Sequence, residues 1–337
     1  MPKKEEIFDF IKPTDNTQLL DYKGKDLQDF IYYLNRYYLT LRDSLNLDSS
    51  TTFGMELEFE TALKLLINLD LLVTGLHPRW RIHHDGSLGM TGGEIATPIL
   101  KDTKEDWETL KKVCRIVSHH ATILAFAGGH IHVGAQIFDN DGKSFRNFLK
   151  LWAVYENIIF RFTYGNYLTG REGIPKYAFS MADTFLERVK EYDRDNLDAD
   201  FLLRTINIRK YQAVNFCHVK FLGEEMNGNT IEFRCPNGTL DPVIWQNNLN
   251  LLVKLIEYAK SDKYDDDIVS KRYMERYKLP HYFSDYNQIY LNQAIELGDM
   301  IFDNNLDKVY FLRQYLKNYQ TSNEILKKSK RFTKAFK

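Results

Sequence analysis

The chain is 337 residues long, 44% hydrophobic and 27% charged, with a formal net charge of -1. That length accommodates one large domain or two small ones with a substantial core, and the composition is that of a soluble globular chain, not a disordered one. The near-neutral balance argues against a protein whose main task is to neutralise a nucleic-acid backbone.

Residues 1–25 are polar and read as a lead-in; Met1-Pro2-Lys3-Lys4-Glu5-Glu6 lacks the apolar run of a signal peptide. From Asp26 to about Leu47, Leu27, Phe30, Ile31, Leu34, Tyr37, Tyr38 and Leu41 recur at helical spacing. Phe53-Gly54-Met55-Glu56-Leu57-Glu58-Phe59-Glu60 alternates as a strand, and Ala62 to Leu72 reads as a short apolar helix ending near Gly75. A strand at Trp80–His84, a turn at Asp85-Gly86-Ser87 and a strand at Glu94–Leu100 behind Gly92-Gly93 follow. Thr103 can cap a helix running to about His120, with Glu105 and Asp106 near its positive end. Gly128 to Gly134 is an alternating strand bounded by glycines, and a long helix is expected from Ser144 to about Tyr164.

A Gly- and Asn-rich loop through Pro175 leads to helices near Ala182–Tyr192 and Leu197–Ile206, then strands at Tyr211–Phe216 and Thr230–Arg234. Asp241-Pro242 opens another helix, and after Lys260 the chain reads as helical, ending in the basic tail Lys327–Lys337. No stretch approaches the ~20 apolar residues of a membrane span. Cys114, Cys217 and Cys235 have no metal-type spacing, so a reducing cytoplasm is the simplest home. Strands and helices mix without a βαβ rhythm, which favours an α+β fold with a mainly antiparallel sheet.

Period two puts Glu56 and Glu58 on one face of their strand and Met55, Leu57 and Phe59 on the other. Two carboxylates ~7 Å apart repel by roughly 2–3 kcal/mol at an effective dielectric of ~20. Such a pair persists either on a solvated edge strand or around a cation. Glu94 opens a further strand with Asp85 on the turn upstream, and clustered carboxylates suit hard cations such as Mg²⁺. His130 and His132 share a face, opposite Ile131 and Val133, between glycines that let a ligand approach. Glu232 and Arg234 also share a face; they read as a salt bridge, or as a ligand beside a phosphate clamp. Asn215 is a polar contact near that pair or a strand-end hydrogen-bonder. No Walker-type loop, Gly-X-Ser-X-Gly elbow or His-Glu-X-X-His is present.

Taken in order, Glu-X-Glu, Asp-Gly-Ser with Gly-Gly-Glu-Ile-Ala-Thr-Pro-Ile-Leu, Gly-His-Ile-His-Val-Gly, Val-Asn-Phe and Thr-Ile-Glu-Phe-Arg resemble the amidoligase family. That family belongs to the carboxylate–amine ligase superfamily of glutamine synthetase and glutamate–cysteine ligase, and the resemblance covers roughly Gly54 to Pro242. It implies a curved antiparallel sheet forming a funnel flanked by helices, with ATP at one mouth and two or three Mg²⁺ or Mn²⁺ ions inside. It assigns Glu56 and Glu94 to one metal, with Asp85 as a further acid, and Glu58, His130 and Glu232 to the metal bridging the ATP phosphates. His132 would lie near the phosphates, Arg234 would stabilise the transferring phosphoryl group, and Lys210-Tyr211 would contact nucleotide or substrate. Ala96 and Thr97 depart from the commoner Val-Ser pair.

The implied division is a helical lead-in over 1–50, a catalytic core over 51–260 and a helical extension with a basic tail over 261–337. The implied reaction is ATP-dependent amide formation through an acyl phosphate, between small-molecule or peptide carboxylates and amines. A metal-dependent hydrolase using the same acids and histidines is an alternative. A nucleic-acid-binding protein acting through the basic tail is another. The sequence sets no oligomeric state and gives no reason to expect a membrane partner.

Overall fold

The computed structural model describes residues 11–19, 30, 33–123, 126–163, 177–182, 184–185, 198–206, 209–220, 228–276 and 288–316. Six strands, β1 (Phe53–Glu60), β2 (Arg81–His84), β3 (Gly92–Ala96), β4 (Gly129–Gly134), β5 (Val214–Asn215) and β6 (Thr230–Phe233), form one open sheet in the order β2-β3-β1-β4-β6-β5. Every neighbouring pair is antiparallel, so the molecule is an α+β protein built on a mainly antiparallel sheet.

One face of the sheet is apolar. Met55, Leu57 and Phe59 of β1 are buried beside Ile82, Ile95, Ile131, Val133, Ile231 and Phe233. Helices α1 (Leu63–Leu76), α2 (Lys104–Ser118), α3 (Gly142–Thr163), α4 (Ala199–Thr205) and α5 (Pro242–Lys260) contribute to the same core. Phe53 stacks on Trp107 of α2 at 5.2 Å, and Phe233 meets Trp152 of α3 at 5.6 Å between ring centroids. Gly129 is required where β4 passes under α5. A Cβ there would lie 2.1 Å from the Trp245 ring and 2.6 Å from the Glu56 carbonyl.

The helices start where short polar side chains satisfy free amides. Thr103 accepts from Asp106 N at 3.2 Å, Asp241 from Val243 N at 2.9 Å and Asp198 from Phe201 N at 2.6 Å. Three further helices follow: α6 (Asp266–Arg276) lies against α3, and α7 (Gln288–Ile301) and α8 (Asn305–Leu316) lie against both α3 and α5. Phe162 stacks on Phe311 at 5.1 Å, and Asn250 Nδ2 donates to Asp307 at 2.7 Å. Among the described residues no helix is long and apolar enough to cross a membrane.

Several elements differ from the sequence expectation. The helix expected to reach Leu47 stops before Tyr37, which instead bridges to Ile11. Its remaining amides find partners elsewhere: Arg42 N donates to Gln246 at 2.8 Å, and Leu45 N and Leu47 N donate to the Asp102 carboxylate. Those tertiary acceptors replace the i−4 carbonyls that the apolar spacing implies. The strand expected to run to Leu100 ends at Ala96, where the Thr97 hydroxyl takes the amide of Met55 at 2.8 Å. The strand expected over Tyr211–Phe216 is reduced to Val214–Asn215, and α1 runs through Gly75 to Leu76. The basic tail, the loop over 164–176 and most of the helix expected near Ala182–Tyr192 lie outside the described residues.

Candidate active site

The opposite face of the sheet carries the polar side chains, and strand register decides which of them meet. Antiparallel pairing sets Glu58 opposite Glu94, Glu56 opposite His130, His132 opposite Glu232, and Glu232 opposite Asn215. Because alternate residues share a face, these groups form a polar surface over the apolar one. A cavity of about 820 Å³ opens above it, lined by Glu56, Glu58, Asp85, Glu94, His130, His132, Lys210, Tyr211, Glu232 and Arg234. Asn215 is buried behind Glu232 and does not line the cavity.

Two sets of potential cation ligands stand on this floor. In the first, Glu56, His130, His132 and Glu232 each offer an atom within 4.8 Å of the others; in the second, Glu58, Asp85 and Glu94 do the same. His130 Nδ1 is 2.5 Å from Glu56 Oε2 and 3.3 Å from Glu232 Oε1. Among the described residues His130 Nε2 has no hydrogen-bond partner although the residue is only 6% exposed, and it lies 3.7 Å from Glu58 Oε1, between the two sets. His132 Nδ1 contacts the Thr230 hydroxyl at 3.2 Å, while its Nε2 lies 3.3 Å from Glu56 Oε1 without hydrogen-bond alignment.

Asp85 reaches the second set through a cap. Its carboxylate accepts from Ser87 N and Ser87 Oγ, each at 2.8 Å, at the start of the 3-10 helix Gly86–Thr91. Glu58 accepts from Gly128 N at 2.6 Å.

The two sets differ in electrostatics. Burial pushes the Glu94 carboxyl up to about 8, aided by the negative charges of Glu56, Asp85, Glu58 and Glu232. Burial alone would also raise Glu56, but its contacts with His130 and His132 hold it well below the usual carboxylate range.

Arg234 flanks the first set. Its Nη1 pairs with Glu232 Oε1, its Nε donates to the Tyr177 carbonyl at 3.0 Å, and its guanidinium lies 5.8 Å from the Tyr211 ring centroid. Asn215 Nδ2 donates to the other Glu232 oxygen at 2.5 Å. Lys210 Nζ is 5.9 Å from the Tyr211 ring, which meets Tyr177 edge-on. The Tyr177 carbonyl is presented by a strap that is itself held down. Phe179 pairs with the segment around Gln212, and buried Glu156 of α3 accepts from Met181 N at 2.7 Å and Trp152 Nε1 at 3.0 Å.

The strand-borne candidates from the sequence therefore share one face of the sheet, Asp85, Lys210 and Tyr211 reach the cavity from connecting segments, and the grouping differs from the one the resemblance implies. Glu56 lies with His130 and Glu232, and Glu58 lies with Glu94 and Asp85, because β1 pairs Glu58 with Glu94 and Glu56 with His130. Glu60, Phe126, Tyr177 and His218 also line the cavity and are not among the residues the motifs single out. Of these only Glu60 had a signal in the sequence, since it has the parity of Glu56 and Glu58.

An antiparallel sheet with one apolar face, and a second face that gathers carboxylates, imidazoles and a guanidinium under a cavity, has the makings of a polar catalytic floor. The chain belongs to the amidoligase family: a family model described as "Putative amidoligase enzyme" matches residues 8–256, which include all six strands of the described residues and every residue of both ligand sets. The family places it among ligase-type enzymes. Comparison with curated proteins finds no match.

Proposed function

We propose that this protein is an ATP-dependent carboxylate–amine ligase that joins a small-molecule or peptide carboxylate to an amine through an acyl phosphate, using two or three divalent ions, Mg²⁺ or Mn²⁺. The observation that carries the reading is the adjacency of two ligand sets in one cavity, with Arg234 beside one of them. The donor chemistry fits such ions. Glu58, Asp85 and Glu94 form an all-oxygen set suited to a hard cation. Glu56, Glu232, His130 and His132 form a mixed set, in which the buried Nε2 of His130 lacks a hydrogen-bond partner among the described residues. Divalent ions bound there would supply electrostatic stabilisation of phosphate and carboxylate oxygens.

The chain's own residues would orient the reactants. Arg234, held by Glu232 and the Tyr177 carbonyl, presents a guanidinium for the oxygens of the transferring phosphoryl group. Lys210 and Tyr211 stand at the same end and suit the nucleotide, whose phosphates His132 would approach. Asn215 holds Glu232 in its ligand orientation. Asp85 and Glu94 close the opposite end, where the acceptor carboxylate would lie. On this reading the sheet is the wall of a glutamine synthetase-like funnel.

The test is ADP release by the purified protein with ATP and Mg²⁺, screened against panels of amino acids and amines. The expected result is release that requires a carboxylate and an amine together, with one amide formed per ADP. Release of equal size with ATP alone would instead mark a hydrolase and overturn the ligase reading.

A further inference from the structure

We propose that Glu60, with Phe126 and Leu88, forms the subsite for the amine co-substrate, and that this subsite takes a primary alkylamine in its ammonium form. The inference rests on the ligase reading for its meaning but not for its test. The cavity has a charge direction: Arg234 and Lys210 stand on the β5–β6 side, and the carboxylates Glu58, Asp85, Glu94 and Glu60 on the β1–β3 side. Phosphate is drawn to the first end and an ammonium to the second.

Five of the six carboxylates lining the cavity belong to the two ligand sets, and Glu60 is the remaining one. It sits two residues beyond Glu58, about 7 Å along the strand on the same face and on the side away from Arg234. Its backbone is fixed on both edges, through Glu60 N to Thr122 O and Thr122 N to Glu60 O, each 2.9 Å, and Thr61 N donates to Thr91 O at 2.8 Å. Its half-buried side chain, by contrast, has among the described residues one contact, from the Thr91 hydroxyl at 3.5 Å. A carboxylate on a rigid backbone with spare acceptor capacity, facing a cavity, is suited to a charged donor.

The apolar neighbours select the stem. Phe126 is 56% exposed at the cavity, an unusual setting for a phenylalanine, and half-buried Leu88 packs over Gly92, the β3 residue opposite Glu60. An alkyl chain lying on these side chains would deliver its ammonium head to Glu60. Ammonia or a strongly polar amine would leave Phe126 uncovered.

The test uses Mg²⁺-loaded full-length protein titrated with n-butylamine and methylamine, followed by the backbone amide resonances of Glu60, Thr61, Thr91 and Phe126. Saturable n-butylamine binding at these amides is expected, weakened tenfold or more in Glu60→Gln and several-fold in Phe126→Ala. Methylamine should bind more weakly than n-butylamine and be insensitive to Phe126→Ala. The thermal shift with Mg²⁺ should match wild type in both variants. Absence of saturable binding, shifts mapping elsewhere, or a Glu60→Gln change that weakens Mg²⁺ rather than the amine would each overturn the proposal. Because ADP release is not the readout, that failure is separable from failure of the ligase reading.

Discussion

Glu56 and Glu58 stand two residues apart on the same face of β1, yet they occupy neighbourhoods of opposite character. Glu56 is met by two imidazoles, with Arg234 beyond Glu232, and its carboxyl is held low; Glu58 faces Asp85 and Glu94, and Glu94 is pushed up to about 8. The first set is largely assembled by the protein's own cations and donors. The second stores like-charge repulsion that a proton or a divalent ion relieves. One strand thus carries an end ordered by its own polar partners and an end where carboxylates crowd together.

The largest effect should come from disabling the preorganised end. Arg234→Ala and Glu232→Ala should each lower kcat for amine-dependent ADP release by about 10³-fold, with an unchanged circular dichroism spectrum. Near-wild-type turnover in a folded Glu232→Ala protein would break the contrast.

Next comes the ion itself. Mg²⁺ at about 100 times its Kd should stabilise the protein by about 2.7 kcal/mol, on the order of 5 °C in Tm. Glu58→Gln and Glu94→Gln should each lose much of that gain while melting higher than wild type without metal, the first because it removes a repelling charge and the second because folding no longer has to protonate a buried carboxylate. Scanning calorimetry with and without chelator reads both quantities.

The pH dependence sharpens the contrast because the two carboxyls carry opposite signs. Glu94 titrates at about 8 when folded against 4.5 when unfolded, so the folded state holds its proton more tightly. Its influence on the metal-free protein is favourable at acid pH and becomes a progressive loss of stability as pH rises from 4.5 through 8. Glu56 is lowered, so its contribution is present above 4.5 and is lost as pH falls through its folded value. Glu94→Gln should remove the alkaline loss and leave the acid limb. Mg²⁺ binding at pH 7 should release about one proton, measurable by titration calorimetry in buffers of different ionisation enthalpy.

The smallest effect tests the support behind Glu232. Asn215 is buried, donates to Glu232 and accepts from Cys217 N at 2.8 Å. Asn215→Ala should lower stability by about 1–3 kcal/mol, read from urea unfolding. Its effect on turnover should be far below that of Arg234→Ala.

Much of the site is legible in the chain because strand alternation is a local property. Met55, Leu57 and Phe59 against Glu56 and Glu58, Ile131 and Val133 against His130 and His132, and Ile231 and Phe233 against Glu232 and Arg234 each announce a two-faced strand. The ordered motifs also carry the family. Tyr177 and His218 belong to no alternating motif and reach the cavity only through tertiary pairing, as in the strap between Glu156 and Gln212. The helix expected through Leu47 fails for the same reason, since Asp102 and Gln246, distant in sequence, capture its amides.

By itself the sequence determined the α+β class, the family and the parity of each polar residue, because side-chain direction along a strand follows from the backbone alone. Only the tertiary structure decided that Glu58 faces Glu94 and Glu56 faces His130, that Asp85 swings in on a capped turn, and that Glu60 is left over at the acidic end. Parity says which face a residue occupies. Partnership depends on register, and register is settled when the two apolar faces of neighbouring strands lock into one core.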